Sequence, residues 1–549
     1  MLVRRSTGPA LKNFYYYSLA LGLLLVLLYT GCDTAITGTA FENQPPRTQL
    51  SVRDTSLVDN LLPSERLSST VAVSWSGTDP DGYVAAYELR YYNEGETPAP
   101  EANWVQTTRT DTLILLPIPR GERVANVVFE VRAIDNEGLK DPNPARTVFP
   151  IRNSPPTIRF NTFDLPPDTT FNVFSFAWTV QDPEGPANLD RIEVSLNDSL
   201  NFVPLAVDAD YVTFVADVAP EDPAQIVEVQ VFTGRAFQRT DVTVPGLRLD
   251  SDNTLYLRAV DQTDTTSTIQ QFTWYVRKPK GRVLFVNDWR ASSWPTVQRF
   301  HLELLREYLP AGTEIDVWNL STPYTTGTTG IVNRSEALPP SAEPGLRRQM
   351  AYWDYIYWVS SNAISSIRGS NLPFISPVLD VFFDQGGKLM VHTPIIQPED
   401  PSENVGNPAI LLLPVSRVIT LPDSVRRLQL PIGAGVTPAS PLPGVSEALP
   451  PLQSNRFFIS ELPFEAEGTN AIPLYRADYQ YRTQTGATGD WPSPRTVASI
   501  SADRRIALFA LPLINEQTGQ PVLLGADGDA DAPRRAVHQI LESLGFPRR

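Results

Sequence analysis

The chain has 549 residues, 42% of them hydrophobic, and carries a net charge of −16 with one cysteine and three histidines. That length accommodates roughly three or four domains, and the acidic balance disfavours nucleic acid and adhesion to anionic lipid headgroups. A single cysteine excludes a disulfide framework and a thiolate metal cluster, while aromatic and β-branched residues are too plentiful for a disordered chain despite 51 prolines.

The first element is a basic and apolar leader: Arg4, Arg5 and Lys12, then an apolar stretch from Leu19 to Leu28, then small residues before Cys32. This is the layout of an export signal, and the apolar stretch is below the ~20 residues that a spanning helix needs. Leu28-Tyr29-Thr30-Gly31-Cys32 resembles the lipobox of bacterial lipoproteins, with Tyr29 where Leu is usual. The resemblance implies that residues 1–31 are removed and that Cys32 carries diacylglycerol. Two or more acyl chains anchor stably. The expected location is therefore exported and lipid-anchored to a bacterial membrane, at the outer membrane or cell surface rather than the inner membrane.

A tether over residues 32–42 leads into Asn43-Gln44-Pro45-Pro46, and a close variant recurs at Asn153-Ser154-Pro155-Pro156. Each copy is followed by a strand-like alternation ending in Trp, three residues, and an acidic turn: Trp75 to Asp79-Pro80-Asp81-Gly82, and Trp178 to Asp182-Pro183-Glu184-Gly185. Near each unit's end stand Arg132-Ala133-Ile134-Asp135 and Arg258-Ala259-Val260-Asp261. Three matched signals in one order indicate a duplication over 43–152 and 153–280. Short alternating strands between Pro, Gly and Asp turns predict an antiparallel β-sandwich in each unit, with Trp75 and Trp178 as inward anchors. The units resemble fibronectin type III and related immunoglobulin-like modules of bacterial surface proteins. Trp178 and Asp261 are 83 residues apart against 60 for Trp75 and Asp135, so the second unit carries an insertion, read as an extra hairpin or a long loop between Asp208 and Thr254.

In that fold the acidic turn and the Asp135–Gly138 loop share one end of the sandwich. Asp79, Asp81, Asp135 and Glu137 are hard oxygen ligands of the kind Ca2+ takes, and the second unit offers Asp182, Glu184 and Asp261. The same residue types also serve ordinary turns. No cofactor other than this possible Ca2+ is implied.

Beyond Gly281 the hydrophobic period changes. Arg282–Asn287 reads as a buried strand, Pro295–Tyr308 as a helix, Glu314–Leu320 as a strand, and the region near Leu346 as a helix. A strand at Tyr355–Val359, a helix at Pro377–Gln385 and a strand at Lys388–Val391 follow, and Ile506–Leu511 with the helix Ala532–Leu544 close the series. Strands alternating with helices predict an α/β domain with a mostly parallel sheet over 281–549, so the chain as a whole reads as multidomain, two all-β antiparallel sandwiches followed by that domain. Its Pro-rich insertion, 393–463, is expected to decorate one edge. The element order and Gly386-Gly387-Lys-Leu-Met-Val-His392 resemble the class I glutamine amidotransferase-like fold, in its trehalose-utilisation-like branch. That family's nucleophile is a Cys just after this strand, and here Val391-His392-Thr393-Pro394 holds no thiol.

Ligands of open α/β sheets gather beyond the C-terminal strand ends, which nominates Asn287, Asp288, Ser360, Ser361 and His392. Ser360 as nucleophile, His392 as base and Asp288 as its orienting acid form the candidate catalytic set. His301 and His538 read as helix-packing residues. Trp289 and Trp294, on the first strand-to-helix loop, are candidates for stacking on a sugar or peptide. The leading functional expectation is a lipid-anchored envelope protein whose sandwiches present a non-catalytic α/β domain for binding or scaffolding, with an envelope protein or glycan as partner. Its alternatives are an envelope hydrolase acting on glycan or ester bonds and a glycan-uptake accessory lipoprotein.

Overall fold

The computed structural model describes residues 42–52, 66–289, 291–320, 325–327, 330–332, 338–339, 344–361, 370–395, 408–466 and 470–549. The leader and Cys32 lie outside the described residues. The chain divides into two compact units, one of residues 1–117 with 124–152 and the other of residues 118–123 with 153–549.

In the first unit, strands Arg47–Val52, Thr70–Thr78 and Asp111–Leu115 form one antiparallel sheet. Ala145–Arg152, Val124–Asp135, Val84–Asn93 and Val105–Thr107 form the other, with Leu67–Ser68 joined to its edge. The alternation that signals a half-buried strand is clean in Thr70–Thr78: Val71, Val73 and Trp75 point inward while Ala72, Ser74 and Ser76 face solvent. Trp75 is the predicted anchor, edge-on to Tyr87 at 6.2 Å and tilted against Phe129 at 6.3 Å. The outward face of Val124–Asp135 is also buried, because Trp104 lies between the Arg90 and Arg132 guanidiniums at 4.3 and 4.1 Å. Their charges are met by Glu130, Glu88 and Glu101.

The second sandwich repeats this strand order. One sheet joins Thr157–Phe160, Val173–Gln181 and Tyr211–Val215; the other joins Gln270–Val276, Ser251–Asp261, Leu189–Leu196 and Val203–Ala206. The extra residues form an antiparallel hairpin, Ile226–Thr233 with Gln238–Arg248, that pairs with Tyr211–Val215 and covers what would be an open sheet edge. Trp178 is buried as predicted, and Phe174, Phe176, Phe214 and Trp274 fill the core beside it.

Residues 281–549 are built on a twelve-stranded mixed sheet. Ile315–Asn319, Val283–Asp288, Tyr355–Ser360, Lys388–His392 and Ile506–Phe509 are adjacent in that order and all parallel. From there the pairing turns antiparallel through Thr496–Ser501, Ala471–Ala477, Gly435–Pro438, Leu452–Ser454 and Leu523–Gly525. The described protein is thus mostly β and mostly antiparallel, which corrects the expectation of a mostly parallel sheet. The reason lies in the connections. Parallel neighbours need a crossover, and among the described residues helices lie in those crossovers at Trp294–Tyr308, Pro344–Met350, Leu372–Ile375, Asp380–Asp384 and Pro408–Leu412. The described part of the Pro-rich insertion otherwise adds short strands that return directly and extend the sheet.

Strand parity divides the core. Val283, Phe285, Tyr357, Val359 and Met390 face the helices Trp294–Tyr308 and Ala532–Leu544, whereas Leu284, Val286, Ile356, Trp358 and Val391 face the shorter helices on the other side. Both long helices lie within a residue of their predicted limits, and the second stops at Gly545, whose φ of 92° suits a residue without Cβ. The Pro377–Gln385 helix is realised only at Asp380–Asp384. The Gly386-Gly387 pair is turn chemistry, because a Cβ on Gly387 would stand 2.4 Å from the Phe382 ring.

The second sandwich is docked onto this region. Phe171 packs edge-on to Trp353 at 5.0 Å and to Trp318 at 5.5 Å, with the Arg277 guanidinium 4.7 Å from its ring. Gln349, on Pro344–Met350, donates to Asn172 Oδ1 (3.2 Å) and accepts from the Val173 N–H (3.1 Å).

Candidate functional site

Counting the parallel strands in chain order, their spatial order is 2-1-3-4-5, so the chain reverses direction across the sheet between Val283–Asp288 and Tyr355–Ser360. The crevice of an open sheet belongs at that point, beyond Asp288 and Ser360, which are register partners. Both side chains are fully buried and engaged. Asp288 accepts hydrogen bonds from the Asn371 backbone N–H (2.5 Å) and side-chain amide (2.6 Å), the Trp358 indole (3.2 Å) and the Ser370 hydroxyl (3.3 Å). Ser360 Oγ donates to Thr393 Oγ1 at 2.7 Å. Asn287 donates to Gln298 at 2.8 Å, and Ser361 is half-buried at the limit of its described segment.

His392 does not join them. It shares the parity of Met390 and Val359 and projects from the opposite face, where its ring stacks on Phe509 at 5.5 Å and lies 4.5 Å from His301. His301 in turn bonds the Tyr357 hydroxyl at 2.9 Å. Burial pushes His392 down to about 3, and burial with the neighbouring His392 holds His301 well below the usual histidine range, so both are neutral at pH 7. The Ser360, His392 and Asp288 set is therefore not assembled: a period of two puts its base through the sheet from its nucleophile and acid. Sequence reasoning missed Ser370, Asn371 and Thr393, the actual partners. No sequence signal was available for the faces, because both strands are buried on both sides and the register between them is set only by their pairing. His538, the third histidine, is a packing residue bonded to the Leu304 carbonyl at 2.9 Å.

Trp289 is held rather than free, its indole N–H shared between Glu516 (2.9 Å) and Ser293 (3.2 Å). Trp294 is half-buried and lines, with Gln298, Arg299, Leu302 and Arg306, a shallow groove of about 410 Å³ along its helix. Trp289 is not among the residues that line this groove. A larger cavity, about 800 Å³, lies beside Phe383, Ile410, Leu413, Asp503 and Arg505, at the opposite end of the sheet from the crevice.

The duplicated acidic motifs converge as predicted, on the linker asparagine. In the first sandwich Asn43 Nδ2 donates to Asp135 Oδ2 (2.7 Å), the Glu137 and Leu139 N–H groups donate to Asp135 Oδ1 (2.8 Å each), and the Gln44 N–H donates to Asp81 (3.0 Å). In the second, Asn153 Nδ2 donates to Asp261 Oδ2 (2.5 Å), the Thr263 and Thr265 N–H groups to Asp261 Oδ1 (2.8 and 2.9 Å), and the Ser154 N–H to Glu184 (2.9 Å). The Asn-x-Pro-Pro, acidic-turn and Arg-Ala-x-Asp signals are thus parts of one clasp. Asp79, Asp81, Asp135 and Glu137 do not form a carboxylate ligand set, and among the described residues no three His, Cys, Asp or Glu side chains are grouped to hold a metal. Loss of the clasp leaves buried carboxylate oxygen without a donor. Asn153→Ala is expected to cost about 1–3 kcal/mol, read from the urea midpoint at unchanged slope, and a change below ~0.5 kcal/mol would remove the clasp from the stability account.

The strand order and clasped linkers define the N-terminal portion as tandem fibronectin type III-like sandwiches. No family model matches the chain, and no curated protein does. Among solved structures, it is similar to the fibronectin(III)-like modules of Clostridium thermocellum CbhA, at 12% identity over 42% of this chain and 95% of that one, TM-score 0.16. It is also similar to the chicken CNTN1 FN1-FN3 domains, at 12% identity over 44% and 67%, TM-score 0.18. The chicken interferon gamma receptor alpha chain matches at 12% identity over 42% and 98%, TM-score 0.19.

Proposed function

We propose that this protein is a lipid-anchored cell-envelope scaffold, in which fibronectin-like sandwiches present an α/β domain, residues 281–549, to an envelope protein or glycan. The observation that carries this reading is the docking of the second sandwich. Phe171 is only 3% exposed, enclosed by Trp318 and Trp353 of the C-terminal region, so the sandwich acts as a rigid mount. The 2-1-3-4-5 parallel strands flanked by helices support the α/β assignment, and the Gly386–His392 motif supports its likeness to the glutamine amidotransferase-like fold. A binding role, rather than hydrolysis, is supported by the internal use of Asp288 and Ser360 and by the placement of His392 on the other face.

The anchor is tested by palmitate labelling in a bacterial host. The wild-type chain is expected to take label and sediment with membranes. Cys32→Ser loses the label and at least ten-fold of the membrane-bound fraction, since a stable anchor requires the acyl chains. A wild-type chain that stays unlabelled would end the lipoprotein reading. Partner binding is best mapped by removing residues 153–549 together, because a cut at Lys280 would strip Phe171 of its cover.

A further inference from the structure

We propose that the acidic turn of the second sandwich binds one Ca2+ ion through Asp182 Oδ2 and Glu184 Oε2. Asp182 is only 9% exposed, and these two oxygens are buried and meet no hydrogen-bond donor. The other carboxylate oxygens around them are already engaged. Asp182 Oδ1 accepts from the Glu184 N–H (2.8 Å) and Asn188 Nδ2 (3.2 Å), Glu184 Oε1 from the Ser154 N–H, and both Asp261 oxygens serve the clasp. A buried oxygen left without a donor is costly, and two carboxylates side by side repel. Asp79 Oδ2, at the matching position of the first sandwich, also lacks a donor.

The chemistry of the donors selects the ion. No His or Cys is at hand for zinc, and carboxylate with amide oxygen suits a hard dication. The Asn153 amide oxygen is the neighbouring neutral donor, since it and Asp182 Oδ1 share the Asn188 amide. Backbone carbonyls and water complete the six to eight oxygens that Ca2+ takes. Two carboxylates only place the affinity in the weak extracellular class, Kd ~0.1–1 mM.

The test is a thermal melt of the purified full chain, stripped with EDTA and titrated with CaCl2 at pH 7.5 and constant ionic strength. The midpoint is expected to rise by about 2–3 °C at 10 mM, with MgCl2 giving a smaller shift. In Asp182→Asn/Glu184→Gln the metal-free midpoint equals or exceeds that of the wild type, because the repulsion is gone, and the calcium shift is lost. If that variant melts early, Glu184→Gln alone, which keeps an acceptor for Ser154, carries the comparison. A wild-type midpoint indifferent to 10 mM CaCl2, or an undiminished shift in the variants, overturns the proposal. Indifference to calcium together with a gain on acidification that the variants lack would assign the pair to a shared proton instead.

Discussion

Trp353→Ala is expected to lower the stability of the 153–549 unit by about 4 kcal/mol, the range for emptying a buried aromatic site. Two effects add. The indole is 1% exposed and forms the wall against which Phe171 packs at 5.0 Å, so truncation opens a cavity at the joint between sandwich and C-terminal region. Its N–H also donates to Asp316 Oδ2 at 2.9 Å, and Asp316, whose carboxyl is raised by burial, keeps only the Lys280 and Gly281 backbone donors when it is lost. Urea unfolding followed by circular dichroism would show a lower midpoint. A loss below ~1 kcal/mol would mean that the sandwich and the C-terminal region are not held together through this cluster.

Asp288→Ala is expected to cost about 3–5 kcal/mol, as for other changes that break a buried charged network. It leaves the Asn371 N–H and amide, the Trp358 indole and the Ser370 hydroxyl without their common acceptor, and so loosens the 370–371 segment against the sheet. Ser360→Ala removes a hydrogen bond to Thr393 (2.7 Å) and a long one from Ser370 (3.4 Å), both to neutral hydroxyls, and should cost only about 1–2 kcal/mol. The ratio matters for function. A catalytic triad would show activity loss with little unfolding in both variants. A structural carboxylate shows the large difference in denaturation midpoint predicted here, and equal midpoints for the two variants would count against that role.

Much of the fold was legible because local rules and tertiary packing agreed. The Trp-x-x-x-Asp-Pro-acid-Gly turns recur because both sandwiches close the same way, and the helices at Trp294–Tyr308 and Ala532–Leu544 carry the spacing that one buried stripe requires. The mixed sheet was not legible. Beyond Pro408 the strands are two to seven residues long, too short for periodicity to distinguish parallel from antiparallel pairing. The insertion's hairpin was foreseen as one of two options, and the sheet edge it covers became visible only with the neighbouring strand in place.

The acidic and histidine motifs divide the same way. Sequence alone placed the acidic turn and the Arg-Ala-x-Asp segment at one end of each sandwich, because they are repeated in order and the sandwich fold carries them there; that the linker asparagine joins them was shown only by the structure. The sequence also determined that no cysteine stands after the Lys388–His392 strand. Only the tertiary structure decided which face each polar residue occupies. Neighbouring strands align Val359 with His392, so Ser360 falls on the other face of the sheet. Register is set by pairing between segments far apart in the chain, and a shift of one residue reverses every side chain.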